Sequence, residues 1–75
     1  MNLKDLSVGE AGRVTGFEEG ARSYRKKLLA MGLTPGTAFT ITRVAPLGDP
    51  VEIAVRGFKL SLRKDEAAAL RVEKE

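Results

Sequence analysis

Residues 51–62 read Val-Glu-Ile-Ala-Val-Arg-Gly-Phe-Lys-Leu-Ser-Leu, and this stretch decides the fold. Apolar and polar side chains alternate on both sides of Arg56-Gly57, which is typical of two β-strands joined by a two-residue turn. The register that this turn imposes pairs Val55 with Phe58, Ile53 with Leu60 and Val51 with Leu62. We therefore expect a β-hairpin that places all six apolar side chains on one buried face.

Further strands are predicted on both sides of this hairpin. Phe39 and Ile41 alternate with polar residues, but the next large apolar residue is Val44, so a bulge or bend is expected near Arg43. Shorter strands are predicted from Arg13 to Phe17 and from Leu70 to Glu73. Turns rich in Gly and Pro separate these segments, so the chain is expected to be mainly β, with about five antiparallel strands in a small barrel.

One segment has the periodicity of a helix. Its apolar residues recur at i, i+4 and i+7, namely Tyr24, Leu28 and Met31, with basic residues on the remaining face. The prediction is a short α-helix over about residues 23–31, inserted between the first two strands. Such a helix is too short to be stable alone, so its apolar face is expected to pack across an opening of the barrel.

Signals for both ends of this helix are present. Ser23 is a suitable N-cap, and Gly32 stands where a left-handed residue ends a helix. Leu33 can then fold back on Leu28 as the apolar contact of a Schellman motif, and Pro35 prevents the helix from continuing. A second helical turn is expected after Asp65.

Length and composition set the class of protein. A chain of 75 residues with 43% hydrophobic residues and no Cys is expected to form one domain, residues 1–75, without disulfides. No stretch approaches the roughly 20 apolar residues of a membrane span, and the N-terminus lacks the pattern of a signal peptide. We therefore expect a cytoplasmic protein with no direct membrane insertion.

The charge is distributed unevenly along the chain. Nine basic residues and two acidic residues lie between Arg22 and Lys64, so this middle part carries +7 while the two ends together carry −4. A basic middle part favours an acidic partner. The alternative is a solvated surface whose acidic ends fold back and neutralise it.

Catalytic and cofactor chemistry has little support in the sequence. The chain has no His and no Cys, so the usual nucleophile and base pairs and zinc or iron ligand sets are missing. The adjacent pairs Glu18-Glu19 and Asp65-Glu66 are interpreted as solvated loop ends rather than as a metal or acid/base site. No phosphate-binding glycine motif is present. We expect no enzyme activity, no cofactor and no metal site.

Binding of RNA or DNA is the second hypothesis. A basic stripe on a small barrel is the electrostatic pattern of many nucleic-acid-binding domains. Against it, Phe39 and Phe58 fall on positions predicted to be buried, and Tyr24 lies on the packed helix face. The exposed faces are therefore expected to lack aromatic rings on which bases could stack.

Two stretches resemble a known family. The helix and the turn after it read Tyr-Arg-Lys-Lys-Leu-Leu-Ala-Met-Gly-Leu-Thr-Pro-Gly over residues 24–36, and residues 44–50 read Val-Ala-Pro-Leu-Gly-Asp-Pro. Together with a first strand that ends in Thr15-Gly16-Phe17, they resemble FeoA, the small cytoplasmic component of bacterial ferrous iron transport. The resemblance covers nearly the whole chain, and the order of the motifs is more specific than any one of them.

The resemblance implies an SH3-like barrel that accompanies FeoB, a membrane permease with a cytoplasmic GTPase domain, in the uptake of Fe(II). The expected function is a non-catalytic accessory protein that docks onto the cytoplasmic part of this permease. A similar domain closes some metal-dependent repressors, so a free-standing regulatory domain is a further alternative. The oligomeric state is left open.

The predicted docking surface lies on the exposed side of the helix and the loop after it. It comprises Arg22, Arg25, Lys26, Leu29, Leu33 and Pro35. Leu29 lies off the apolar line of the helix, beside basic residues, whereas the Schellman contact could account for Leu33 without a partner. A secondary candidate is the loop formed by Ala45, Pro46, Leu47, Gly48, Asp49 and Pro50. For this loop and for Pro35, a purely structural role is equally compatible with the sequence.

Overall fold

The computed structural model describes residues 1–75. After a short 3₁₀ turn at Leu3–Asp5, the elements follow in this order: β1 (Ala11–Phe17), α1 (Arg22–Ala30), β2 (Ala38–Val44), β3 (Val51–Val55), β4 (Phe58–Leu62), α2 (Lys64–Ala69) and β5 (Leu70–Lys74). The five strands form one antiparallel sheet in the order β4-β3-β2-β1-β5. Five strands, one helix between the first two and a second short helix were all predicted.

The hairpin of β3 and β4 has the predicted register. Val55 pairs with Phe58, Ile53 with Leu60 and Val51 with Leu62. Arg56 and Gly57 both have positive φ, 49° and 84°, as a two-residue turn of type I′ requires. Its twist matches that of the flanking strands, so the turn sets the register.

The prediction that all six apolar side chains of the hairpin are buried was wrong in part. Val51, Ile53, Val55 and Leu62 lie in the core, but Leu60 is only half-buried and 45% of Phe58 is exposed. The reason lies in the topology. β4 is an edge strand of the sheet, and Phe58 is its first residue, directly after the turn. Helix α2 packs against β4 but starts only after Leu62, at the other end of the strand.

The predicted bulge in β2 is confirmed. Ile41 pairs with Ile53 and Arg43 with Glu52, so Thr42 is the additional residue. The Thr42 hydroxyl lies 3.1 Å from the Glu52 carbonyl oxygen and 3.0 Å from its carboxylate. The hydroxyl thus offers its hydrogen to acceptors of Glu52 beside the bulge.

Helix α1 begins one residue earlier than predicted, and its N-cap is Ala21 rather than Ser23. Ala21 makes no capping hydrogen bond through its side chain. The C-terminal end is as expected, since Gly32 has a φ of +88°. The Gly32 N–H donates to the Leu29 carbonyl oxygen at 3.0 Å, and the Leu33 N–H donates to the Leu28 carbonyl oxygen at 3.1 Å. These two bonds define a Schellman motif.

The core lies between the sheet and the two helices. Its largest fully buried side chains are Leu3, Val14, Leu28, Leu33, Ile41, Ile53, Val55, Leu62 and Leu70. Tyr24 and Met31 are half-buried against this cluster, as the helical periodicity predicted. The exposed side of α1 is therefore fixed by the packing of its opposite face.

Glu66 joins the two helices although only 4% of it is exposed. Its carboxylate accepts a hydrogen bond from the Arg63 N–H at 2.9 Å and forms an ion pair with Lys27 of α1. The bond from Lys27, followed by that from the Arg63 N–H, lowers the pKa of Glu66 below its ordinary value of 4.5. This carboxyl, predicted to be a solvated loop end, is a buried structural contact.

No helix of this protein is long and apolar enough to cross a membrane.

Candidate protein interface

A surface groove of about 620 Å³ lies where β1, the start of α1 and the turn after α1 meet. It is lined by Gly16, Phe17, Glu18, Glu19, Gly20, Ala21, Arg22, Arg25, Leu29 and Pro35. Four of the six residues predicted for partner binding are in this set: Arg22, Arg25, Leu29 and Pro35. We call these ten residues the α1 groove.

Leu29 is the apolar residue on the exposed side of α1. The core-facing residues of the helix fix its rotation, so Leu29 points away from the core and is 37% exposed. It is the one large aliphatic side chain that lines the α1 groove. An apolar group in this place is available to a partner and contributes little to the core.

The positive charge on α1 is largely uncompensated. Arg22, Arg25 and Lys26 are exposed and form no ion pair within the chain, whereas Lys27 pairs with Glu66. Lys26 lies on the same exposed side but does not line the α1 groove. The basic residues of the groove are therefore Arg22 and Arg25.

Arg25 is held over an aromatic ring. Its guanidinium carbon lies 5.8 Å from the centroid of Phe17, at the end of β1, which is within the range of a cation–π contact. The groove is also lined by Glu18, which pairs with Arg71 at 3.8 Å, and by Glu19. It thus contains two arginines without ion pairs and two carboxylates, one of which is neutralised.

Pro35 belongs to a tightly held turn. The Thr37 N–H donates to Thr34 at 3.1 Å, and Gly36 has a φ of +94°, as expected for a type II turn. The Gly36 N–H also donates to Val14 at 2.7 Å, which fixes the turn to β1. Pro35 thus shapes the turn and is exposed in the groove, so its structural role is confirmed and its contact with a partner stays a prediction.

Leu33 requires a correction, because it is fully buried. The Schellman motif turns its side chain into the core beside Leu28, so it cannot form part of an exposed surface. The sequence pointed to this outcome through the positions of Gly32 and Leu28.

The secondary candidate loop is separate from the α1 groove, since none of its residues lines it. It is closed by a bond from the Gly48 N–H to Ala45 at 2.7 Å and one from the Ala45 N–H to Pro50 at 3.1 Å. The Asp49 carboxylate accepts the Lys64 N–H at 3.0 Å. Leu47, at the tip, is 94% exposed. The loop is a tight connection that presents one apolar side chain.

The acidic ends neutralise little of the basic middle part. Among its nine basic residues, Lys27 pairs with Glu66 and Lys59 with Glu52 at 3.9 Å, while the other seven form no ion pair. No group of three or more acidic side chains is placed to hold a metal ion. The alternative of a surface neutralised by the acidic ends is supported by one ion pair of this region, that of Lys27 with Glu66.

The sequence analysis missed Phe17 as a groove residue. It predicted the strand that ends at Phe17, but nothing in the local pattern shows which side chain lies under Arg25. That pairing depends on the path of residues 18–21 between β1 and α1.

Comparison with known proteins relates nearly the whole chain to one family, since the FeoA domain model matches residues 1–74. A relative from Porphyromonas gingivalis is described as a fusion of Fe(2+) transport protein A with the Fe(2+) transporter FeoB. It is 36% identical over 73 residues, and the match covers 97% of this chain and 8% of that protein. The chain thus spans a small part of this relative.

Two solved structures show the same fold. A FeoA-like protein from Clostridium acetobutylicum superposes with a TM-score of 0.88 at 35% identity, covering 99% of this chain and 85% of that chain. FeoA from Stenotrophomonas maltophilia, described as an SH3 domain protein complexed with zinc, gives 0.81 at 21% identity, covering 97% and 89%. At that identity the second likeness shows the fold alone, which is the predicted mainly β, SH3-like one.

Proposed function

Since this chain belongs to the FeoA domain family, we propose that it acts in ferrous iron transport as a non-catalytic accessory protein that docks onto the cytoplasmic part of a FeoB-type permease. The fusion relative from Porphyromonas gingivalis supports this partner, because it joins the two proteins in one chain. A covalent link of that kind keeps two modules at a high local concentration, which favours contact between them.

The observation that carries the proposal is the α1 groove. It places exposed Leu29 in one groove with Arg22 and Arg25, which form no ion pair, while Glu18 is paired with Arg71 and Glu19 is the one unpaired carboxylate. A small apolar centre thus lies next to an excess of positive charge. Such a surface can steer an acidic segment of the partner and then bury an apolar side chain of it. The stems of the arginines can cover apolar surface while their guanidinium groups stay hydrated.

The test is the affinity for the isolated cytoplasmic domain of FeoB from the same organism. Leu29→Gln should weaken binding about tenfold or more, since burial of a Leu side chain contributes roughly 1.5–3 kcal/mol. Its melting temperature should stay nearly unchanged, because Leu29 is outside the core. Leu47→Gln is the matched control, since it removes an exposed leucine outside the groove. Normal binding by Leu29→Gln together with weak binding by Leu47→Gln would assign docking to the Ala45 to Pro50 loop.

A second experiment tests the charge. Arg25→Glu combined with Lys26→Glu should reduce mainly the association rate, and the reduction should shrink at high salt. Arg43→Glu combined with Lys64→Glu changes the net charge equally at two positions outside the groove and without ion pairs. If both double variants slow association equally, net charge rather than the α1 groove steers the partner.

Binding of single-stranded nucleic acid is kept as a second candidate because of Phe58. The sequence analysis counted this ring as buried, but it is 45% exposed between Arg56 and Lys59. An exposed ring with basic neighbours can stack against a nucleic acid base. We expect a labelled single-stranded RNA not to bind at physiological salt. Binding would favour this candidate if the affinity falls steeply with salt concentration and if Phe58→Ala abolishes it.

A further inference from the structure

The two edges of the sheet differ. At the outer edge of β5, the Val72 N–H donates to the Met1 carbonyl oxygen at 3.0 Å, and Asn2 forms an isolated bridge with Arg71. The N-terminus therefore covers that edge. The outer edge of β4 has no such cover, because β4 pairs with β3 alone.

The backbone groups on this open edge belong to two residues. In a hairpin with a two-residue turn, the residues beside the turn exchange hydrogen bonds and the bonding then alternates along the strands. Phe58, Leu60 and Leu62 thus bond to β3, whereas Lys59 and Ser61 direct their N–H and C=O groups outwards. Neither residue uses these groups in any other backbone hydrogen bond of the chain.

The surroundings of this edge are basic. Residues 56–64 contain Arg56, Lys59, Arg63 and Lys64 and no acidic residue. Lys59 pairs with Glu52 of β3 at 3.9 Å, whereas Arg56, Arg63 and Lys64 form no ion pair. Beside Ser61 lies a cleft of about 330 Å³ that Lys27, Arg63 and Glu66 also line; Lys27 pairs with Glu66, so Arg63 is its basic residue without an ion pair. The unpaired N–H and C=O groups of an exposed edge strand are a template for pairing, and positive charge beside them disfavours a second basic edge while it favours an acidic strand.

We propose that the open edge of β4 binds an extended acidic polypeptide segment, which adds a sixth strand to the sheet through the backbone of Lys59 and Ser61. An added strand supplies both N–H donors and C=O acceptors at the spacing that this edge presents, and its carboxylates meet the basic side chains. A nucleic acid backbone has phosphate acceptors but no matching row of N–H donors. A second copy of this chain that paired through the same edge would place the basic residues of the two edges against each other, which is unfavourable.

This surface is distinct from the α1 groove, since neither Lys59 nor Ser61 lines it. The inference goes beyond the proposed function, because it assigns the domain a second contact surface. Its test needs no FeoB, so its failure would leave the docking proposal standing.

The probe is a short, end-blocked peptide of alternating Glu and Val, added to the full chain and followed by amide NMR spectra and hydrogen exchange. In the free protein the amides of Lys59 and Ser61 should exchange faster than those of Phe58, Leu60 and Leu62. The peptide should slow exchange at Lys59 and Ser61. A peptide N-methylated on the face that bonds to β4, and one with Lys in place of Glu, should both bind at least about tenfold more weakly.

Two variants isolate the backbone. Ser61→Pro removes one outward N–H without touching the bonds to β3, and should lower peptide affinity at least about tenfold; Ser61→Ala keeps the N–H and should bind within about twofold of the unaltered chain. If Ser61→Pro does not fold, Lys59→Glu is the second variant. It keeps every backbone group and should weaken binding of the acidic peptide.

Three results would overturn the inference: equal binding of the N-methylated peptide, chemical-shift changes confined to residues outside β4, and dimerisation of the chain through Lys59 and Ser61 in sedimentation experiments. Tighter binding of a single-stranded RNA than of the acidic peptide at this edge would do the same.

Discussion

The guanidinium carbon of Arg25 lies over the ring of Phe17, 5.8 Å from its centroid. The two residues belong to different elements, α1 and β1, and are separated by the loop of residues 18–21. Their contact fixes a positive charge of the α1 groove to the end of the first strand. The contact restrains Arg25 within the groove that we propose as the docking surface.

The coupling between these residues can be measured with a double-mutant cycle. Phe17→Leu combined with Arg25→Ala should give a coupling free energy of about 0.5–1 kcal/mol in urea unfolding, the usual value of an exposed cation–π pair. Lys26→Ala in place of Arg25→Ala is the control and should show no coupling. Equal coupling for both basic residues would mean that Phe17 senses general charge rather than the stacked guanidinium.

The hairpin should be unequally sensitive to truncation on its two strands. Ile53→Ala removes a fully buried side chain and should lower the free energy of unfolding by roughly 2–5 kcal/mol. Phe58→Ala removes a larger side chain, but 45% of it is exposed, so the loss should be on the order of 1–2 kcal/mol. Chemical denaturation of both variants checks the order, and a greater loss for Phe58→Ala would show that β4 is covered in solution.

Gly12 should tolerate no side chain. An added Cβ would lie 2.8 Å from the Glu73 carbonyl oxygen and 2.8 Å from the Phe39 ring, so Gly12→Ala should cost about 1–3 kcal/mol. Gly16, on the same strand, is the control, because an added Cβ there meets no atom within 4 Å. Thermal melts of Gly12→Ala and Gly16→Ala should therefore separate clearly; similar melting temperatures would contradict the close contact of β1 with Phe39.

The ion pair of Glu66 should make stability depend on pH. Its pKa in the folded protein lies below 4.5, so its contribution is complete above the ordinary pKa and is lost as the pH falls through the folded value. The free energy of unfolding of Glu66→Gln should be lower than that of the unaltered chain by roughly 1.5–3 kcal/mol near neutral pH. On acidification the variant should lose less of its stability than the unaltered chain does. The two stability curves should converge in acid.

Urea unfolding across the acidic range measures these curves. Glu19→Gln, at an exposed carboxyl without an ion pair, serves as the control and should follow the unaltered chain. Parallel curves for the unaltered chain and Glu66→Gln would mean that Lys27 does not stabilise the folded carboxylate.

Local patterns in the sequence were sufficient for most of the secondary structure. The alternation around Arg56-Gly57 determined the hairpin register, because side chains alternate along a strand and the turn allows one pairing. The parity change before Val44 located the bulge, and Gly32 marked the end of α1. Each signal acts over a few residues, so it needs no knowledge of the rest of the chain.

The tertiary structure decided what is exposed. Phe58 follows the same alternation as Ile53, yet it is half-exposed because it lies on an edge strand of the sheet. Leu33 was predicted to be part of an exposed surface, but the turn after α1 places its side chain in the core. The contact of Arg25 with Phe17 and the open edge at Lys59 and Ser61 likewise depend on which elements become neighbours. Periodicity determines which side of an element is apolar, whereas burial depends on whether another element covers that side, and this is set by packing between residues distant in the chain.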